Sequence, residues 1–521
     1  MPSERLDIYI IAIGGTGMAP LACLLQEKGH RVRGADGPLY PPMSTLLERA
    51  GIEPWVGFDA SHLEPAPDLV VVGNAVRRDN PEAVAAESRR LPILSMPQAL
   101  ARFFLAGRRP LVVTGTHGKT TTTAMAAWVY SRCGRDPGYL IGGAPRDLAA
   151  SFAVGSGDRF IVEGDEYNAA YFDRGAKFLH YQPETLILTS VEYDHADLYP
   201  DPAALRSAYA EVIAQLPPSG LLVACGDTPE VRELARRAPC PTLLYGLAPG
   251  NDVRPLPGNA GSDGSEGTAR SDWSGGVDGI VALPEATRFN VADGEGGIIA
   301  IELQLAGGHN VANALAVWTA ARHDGLPAAA VAAALGSFRG VERRLQEVGT
   351  AGGTLVVDDF AHHPTAVGKT LEALRQRYPD RRLVALFEPR SLTAGRTMFF
   401  DAYRQAFAGA SRVLFAPTFH SGRLSPEERL DFGELAAALS RDGVAALCTA
   451  GIDELLAQAV TESRPGDVLV TMSSGAFGGL PRRLVEALTA VEPRSDRSAK
   501  PRSDESAKPC SDRSALNASV Q

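Results

Sequence analysis

The stretch Leu111-Val112-Val113-Thr114-Gly115-Thr116-His117-Gly118-Lys119-Thr120-Thr121 constrains this chain more than any other. A short apolar, β-branched run opens at Pro110, enters a glycine-rich turn and gives way to a helical pattern from Lys119 through Trp128 and Val129. Strand, tight loop and helix in that order build a phosphate cradle. Backbone N–H groups at the helix N-terminus surround phosphate oxygens, a lysine ammonium reaches the terminal phosphates and a threonine hydroxyl holds Mg2+. The turn therefore calls for a nucleoside triphosphate. It departs from the usual P-loop at one point, because Val113 stands where the first glycine belongs.

Two predicted strands of the same unit end in acidic groups. Phe160-Ile161-Val162 leads into Glu163-Gly164-Asp165-Glu166, and Leu186-Ile187-Leu188 leads to Glu192-Tyr193-Asp194-His195-Ala196-Asp197. The C-terminal ends of parallel strands face the crevice where open α/β sheets bind ligands. Mg2+ prefers carboxylate and hydroxyl oxygens together with substrate phosphates. That preference predicts one ion on Thr120 and Glu163, and an imidazole contact from His195 marks a second, less conventional position.

At 521 residues the chain is long enough for two to four domains. Three α/β units are legible. The first, residues 1–108, has a strand at Ile8–Ile13, the turn Gly14-Gly15-Thr16-Gly17, a helix to Gly29, a strand from His30 ending at Asp36, and the buried run Leu69-Val70-Val71-Val72 before Gly73-Asn74. This order is Rossmann-like, and an acidic residue about 20 positions after the glycines suits a ribose hydroxyl. Alone, the turn fits NAD, a nucleotide sugar or tight strand–helix packing equally well. The second unit, 109–339, carries the phosphate turn and a Gly/Ser/Asp-rich insertion at about 249–276, expected to be a mobile surface loop. The third, 340–491, has strands predicted at Thr354–Val357, Leu383–Phe387, Arg412–Phe415 and Val468–Met472, read as a parallel sheet. From 492 to 521 the octads PRSDRSAK, PRSDESAK and PCSDRSAL have no apolar face and are expected to be disordered.

Composition closes off several alternatives. A formal charge of -10 gives no electrostatic reason to bind nucleic acid. The six cysteines lie far apart and suggest neither a disulfide framework nor a zinc site. The apolar run Ile8–Ile13 is too short to cross a bilayer and no signal-peptide pattern is evident, so a cytoplasmic protein without a membrane span is expected.

Taken together, GTHGKTTT, the EGDE and EYDHAD strand ends, Gly308-His309-Asn310-Val311-Ala312-Asn313, Glu342-Arg343-Arg344-Leu345 and Val357-Asp358-Asp359-Phe360-Ala361-His362-His363-Pro364 resemble the Mur ligase family of bacterial cell-wall enzymes over about residues 6 to 490. The resemblance implies a three-domain α/β architecture: a Rossmann-like N-terminal domain for a UDP-sugar, a central P-loop ATPase-like domain and a C-terminal Rossmann-like domain for the acceptor peptide. It implies ATP and Mg2+ as cofactors. ATP would be held by Gly115, Thr116, His117, Gly118, Lys119, Thr120 and Thr121. Asn310 and Asn313 would lie on adenine, Arg344 on phosphate and Asp359 on the ribose. Lys119, Glu163, His195 and Arg344 would be catalytic, with Thr120, Glu163 and His195 as metal ligands. Gly14, Gly15, Thr16, Gly17, Met18, Asp36 and Asn74 would bind the UDP-sugar, and His362, His363, Arg390 and Ser473 the acceptor. One departure is Ala12, where this branch of the family often has the first glycine of its loop.

Within the family, Tyr40–Glu48, Phe172–Tyr181, Glu388-Pro389-Arg390-Ser391 and Met472–Gly479 resemble the branch that joins UDP-N-acetylmuramate to the preformed tripeptide L-alanyl-γ-D-glutamyl-meso-diaminopimelate, as in peptidoglycan recycling. The implied reaction makes an acyl phosphate from the lactyl carboxylate and ATP, which the peptide amine then attacks. A monomer or weak dimer acting on small molecules is expected. Three rivals remain: a ligase adding L-alanine, sharing every ATP residue; an NAD-dependent oxidoreductase using the Gly14 loop, which leaves Gly118-Lys119-Thr120 unexplained; and a regulator using ATP only as a switch.

Overall fold

The computed structural model describes residues 5–196, 198–257, 279–283, 285–393, 395–419 and 424–491. Most of the Gly/Ser/Asp-rich insertion and all of the octad tail lie outside the described residues. Four sheets organise the rest.

The N-terminal sheet is wholly parallel, in the order Trp55–Val56, Arg31–Asp36, Asp7–Ile11, Leu69–Val72, Ile93–Ser95. Its central strands are apolar on both faces because helices and loops cover both, as a parallel sheet requires. Ile8 and Ile10 pack toward the helix Met18–Glu27, while Tyr9 and Ile11 pack on the other side. Between the first strand and this helix, Ala12 turns the chain at φ 63, the left-handed region that disfavours a Cβ. A glycine, which the resemblance leads one to expect here, would avoid that cost.

The central sheet runs Thr242–Tyr245, Leu221–Cys225, Thr185–Leu188, Arg109–Thr114, Arg159–Gly164, Gly138–Leu140, Phe152–Ala153, parallel except for the last pair. Arg109–Thr114 therefore lies between the two strands with acidic ends, and register sets Glu163 beside Val113 and Leu188 beside Thr114. The helices Lys119–Arg132 and Gly308–His323 pack against one face. A second, antiparallel sheet of Ile280–Ala282, Thr287–Ala292 and Ile298–Leu303 caps this unit. No continuous apolar run marks it in the sequence, because its strands alternate buried and exposed positions within a polar stretch.

The C-terminal sheet runs Gln346–Ala351, Thr354–Asp359, Val468–Met472, Leu383–Phe387, Arg412–Phe415, Ala445–Cys448. The expectation of a parallel sheet needs correcting at one edge: Gln346–Ala351 pairs antiparallel with Thr354–Asp359 through the turn at Gly352-Gly353. Residues Gln346-Glu347-Val348-Gly349-Thr350 have only partial burial, so no apolar run announced the strand.

Candidate active site

The loop between strand Arg109–Thr114 and helix Lys119–Arg132 is held from behind by the end of the neighbouring strand. Thr116 N donates to Ser190 O at 3.0 Å, His117 N to Ser190 Oγ at 3.0 Å, and Thr189 Oγ1 to His117 O at 2.6 Å. Gly115 sits at φ +128, and a Cβ there would lie 2.2 Å from Thr189 Oγ1, so only glycine permits this approach. Gly118 caps the helix at φ +81 and faces Asn313 Oδ1, which an added Cβ would meet at 2.8 Å. Asn313 donates to Asn310 Oδ1 at 3.3 Å, and Asn310 donates to Ala306 O at 2.8 Å. Both are buried in the first turns of their helix, so the pair abuts the loop.

Lys119 folds back over the loop. Its Nζ donates to Gly115 O at 2.7 Å and to both oxygens of Glu166, at 2.9 and 3.0 Å. His195 Nε2 lies 2.8 Å from Glu166 Oε1. Burial alone would lower the lysine and imidazole pKa values and raise that of the carboxylate. The opposite charges prevail: Lys119 and His195 are shifted up and Glu166 down. Glu166 received no role in the sequence reading, although it stands three residues beyond Glu163. It holds both the lysine and the histidine.

Thr120 Oγ1 donates to Glu163 Oε1 at 2.9 Å, and Gly142 N donates to Glu163 Oε2 at 2.9 Å. A Cβ on Gly142 would reach within 2.6 Å of that oxygen. Burial, reinforced by Asp165, holds the Glu163 carboxyl above its usual range. The structure brings Thr120 and Glu163 together. His195 has Glu166 as its partner, with Asp194 Oδ2 at 3.9 Å. Thr121 is buried in the same helix.

The C-terminal domain supplies the facing wall. Arg343, at φ 59, is tied to Asp358 Oδ2 at 3.1 Å and to the carbonyls of Ser473 and Gly475 at 2.7 and 2.6 Å. This leaves Arg344 against the Phe360 ring at 4.9 Å, where burial lowers its pKa against the pull of Asp359 and Glu163. Asp359 accepts from Leu345 N at 2.6 Å, Ala361 N at 2.8 Å and Thr370 Oγ1 at 3.2 Å. Its carboxylate pins the junction to the sheet. His362 Nδ1 lies 3.0 Å from Phe360 O.

Two domains meet at Glu192, a residue the sequence reading left without a role. Its Oε2 accepts from Thr365 Oγ1 at 2.5 Å and lies 3.2 Å from His117 Nε2 and 3.7 Å from His363 Nδ1. Burial would raise this carboxyl, yet the His117 hydrogen bond and charge lead the groups that hold it at about 2. Burial pushes His363 down to about 4.

Of the residues expected to meet the acceptor, Arg390 stacks on Phe419 at 3.9 Å and lies 3.7 Å from Glu388 Oε2. Ser473 is fully buried and donates to the same Glu388 oxygen at 2.5 Å, so it braces the arginine's partner and has no surface to offer a peptide. In the N-terminal loop, Gly14 N donates to Asp36 Oδ2 at 2.7 Å and Gly37 N to Oδ1 at 2.7 Å. Asp36 thus fastens the turn that carries Gly15, Thr16 and Gly17. Thr16 and Asn74 are exposed beside it, whereas the Met18 side chain is 5% exposed and belongs to the core.

Three family models match consecutive parts of the chain: Mur ligase family, catalytic domain, over residues 7–108; Mur ligase middle domain over 113–321; and Mur ligase, glutamate ligase domain, over 343–475. The UDP-N-acetylmuramate–L-alanyl-gamma-D-glutamyl-meso-2,6-diaminoheptandioate ligase of Escherichia coli K12 is 38% identical over 486 residues, covering 93% of this chain and 98% of that protein. The UDP-N-acetylmuramate–L-alanine ligase of Halorhodospira halophila is 35% identical over 492 residues, covering 93% and 94%. Among solved structures, a murein peptide ligase from Psychrobacter arcticus superposes with a TM-score of 0.67 at 32% identity, covering 93% of this chain and 99% of that one. With all three domains matched in order and relatives aligned end to end, the chain belongs to the Mur ligase family.

Proposed function

We infer that the protein is an ATP-dependent amide ligase that joins UDP-N-acetylmuramate to L-alanyl-γ-D-glutamyl-meso-diaminopimelate, releasing ADP and phosphate, in murein recycling in the bacterial cytoplasm. One observation carries the ligase chemistry: Glu166 clamps Lys119 over a glycine loop at the sheet's C-terminal edge, and the charge of Glu163, hydrogen-bonded to Thr120 in the same site, acts on Arg344 of the next domain. End-to-end similarity to a ligase named for this tripeptide supports the choice of acceptor.

The residues fit this use. Ser190 takes up the N–H groups of Thr116 and His117, so phosphate oxygens fall to the N–H groups at the start of the helix, from Gly118 to Thr120, and Lys119 exchanges a Glu166 oxygen for a phosphate oxygen. The oxygens of Thr120 and Glu163, hard donors 2.9 Å apart in a cradle that Gly142 leaves open, suit Mg2+. When bound, the ion offsets charge on the transferring phosphoryl group. Arg344 adds positive charge from the opposite wall, where closure excludes water that would hydrolyse an acyl phosphate. The lactyl carboxylate takes the γ-phosphoryl group, the peptide amine attacks the acyl carbon and phosphate leaves, so no protein nucleophile is needed. Arg390 would pair with an acceptor carboxylate, since a guanidinium binds such groups bidentately. The enzyme is proposed to work as a monomer or weak dimer.

An L-alanine acceptor is the second reading, favoured by the 35% identity to the alanine-adding relative. ADP release in the presence of UDP-N-acetylmuramate, ATP and Mg2+ separates them. The tripeptide should drive stoichiometric ADP formation and L-alanine little; equal turnover with L-alanine would reverse the assignment.

A further inference from the structure

Glu192 joins three segments remote in sequence: the phosphate loop through His117, the strand-end loop that carries it, and the N-terminus of helix Pro364–Arg377 through His363 and Thr365. One ligand atom from each of His117, Glu192 and His363 lies within 4.8 Å of the others. Ligand atoms around a tetrahedral Zn2+ with bonds of about 2.0–2.1 Å sit roughly 3.4 Å apart. The distances from Glu192 Oε2, 3.2 Å to His117 Nε2 and 3.7 Å to His363 Nδ1, bracket that spacing. His363 is 6% exposed and its Nε2 has no hydrogen-bond partner, so no hydrogen bond at that end has to break for a small rotation of the ring against Phe399. At Nδ1 the metal would replace a 3.3 Å bond from Thr365 N. Thr365 Oγ1 on Glu192 Oε2 is the outer hydrogen bond that orients a ligating carboxylate.

We propose that His117, Glu192 and His363 form a binding site for a borderline divalent cation of the Zn2+ type, water completing the coordination, which clasps the phosphate loop to the C-terminal domain. Two imidazoles and one carboxylate select such an ion over Mg2+, which takes oxygen ligands and is offered them by Thr120 and Glu163. The two sites share no residue. The cation needs no ATP, so the clasp stands apart from the ligase reading and survives its failure.

The test is titration of the full-length protein with Co2+ in excess Mg2+ and without nucleotide. Four-coordinate Co2+ has intense visible d–d bands, and Co2+ on an oxygen-rich six-coordinate site has weak ones. One equivalent of intensely absorbing Co2+, displaced by Zn2+, is expected. His363→Asn keeps a helix-capping acceptor while removing the imidazole, and should abolish the bands. Thr365→Val should weaken binding about 10- to 100-fold, as loss of an outer-shell partner does. A weak six-coordinate spectrum in the unaltered protein, or intense bands that persist in His363→Asn, would overturn the proposal and leave a hydrogen-bonded latch.

Discussion

Lys119 and Glu166 are partners in a nearly dry site, with side chains 12% and 1% exposed. Removing one member of a buried ion pair costs about 3–5 kcal/mol, because the other charge stays behind. Lys119→Ala should therefore lose ADP release and lower unfolding stability by that order, while Lys119→Ala with Glu166→Gln should recover most of the stability and none of the turnover. Chemical denaturation beside a coupled ADP assay measures both; ligation at the unaltered rate in either variant would refute the role of the lysine. At the acceptor end, a Cβ on Gly475 would lie 2.1 Å from Arg390 Nε. Gly475→Ala should displace that guanidinium, and Arg390→Ala should remove it. Both should raise the KM for the tripeptide far more than the KM for ATP in steady-state kinetics.

The phosphate-loop helix, Lys119–Arg132, is anchored at its far end by charge. Asp324, the C-cap of helix Gly308–His323, accepts from Tyr130 Oη at 2.6 Å and from Arg159 Nε at 2.8 Å, and Arg109 Nη2 lies 3.3 Å away. Four elements of the central unit, two helices and the strands Arg109–Thr114 and Arg159–Gly164, converge on one carboxylate that is 6% exposed. Burial would raise its pKa, but the hydrogen bond and charge of Arg159 prevail and lower it. Asp324→Asn should cost about 3–5 kcal/mol. A depressed carboxylate contributes fully above its unfolded pKa of about 3.9 and loses that contribution as the pH falls through the lower folded value. The stability difference between Asp324→Asn and the unaltered protein should thus be equal at pH 7 and pH 5 and shrink only below about pH 4, as pH-dependent denaturation would show.

Across the whole molecule, the middle and C-terminal domains meet at Thr365 on Glu192 and at Ala196 N on Thr393 Oγ1, 3.3 Å apart. The His117 hydrogen bond and charge hold the Glu192 carboxyl down at about 2 against burial, so it is ionised through the neutral range and this contact is expected to weaken only as the pH falls toward that value. Small-angle scattering should give the same radius of gyration from pH 8 to pH 5, and a larger one for Glu192→Ala. With ATP held by both lobes, as proposed, closure and binding would be one equilibrium. A nucleotide at a hundred times its Kd should add about 2.7 kcal/mol to stability, read as a rise in melting temperature that Lys119→Ala abolishes.

Local sequence determined three α/β units and the phosphate loop, because each depends on near neighbours, an apolar run or a glycine turn; Thr120 and Glu163, 43 residues apart, were legible as partners because the turn after one strand and the end of its parallel neighbour meet at one sheet edge. The weakly patterned edge strand Gln346–Ala351 and the antiparallel sheet of residues 280–303 were not legible, since their half-exposed residues carry no continuous apolar signal. Nor were the partners of the site legible. Glu166 beneath Lys119, Glu192 beside His117, Arg343 bound to the Ser473 carbonyl and Ser473 bound to Glu388 are separations of 47, 75, 130 and 85 residues bridged by hydrogen bonds. Spacing along a chain encodes what one strand or one helical turn can reach. Which carboxylate closes on which cation was decided only when the domains packed, because a charge taken out of water must find its partner in space, wherever that partner lies along the chain.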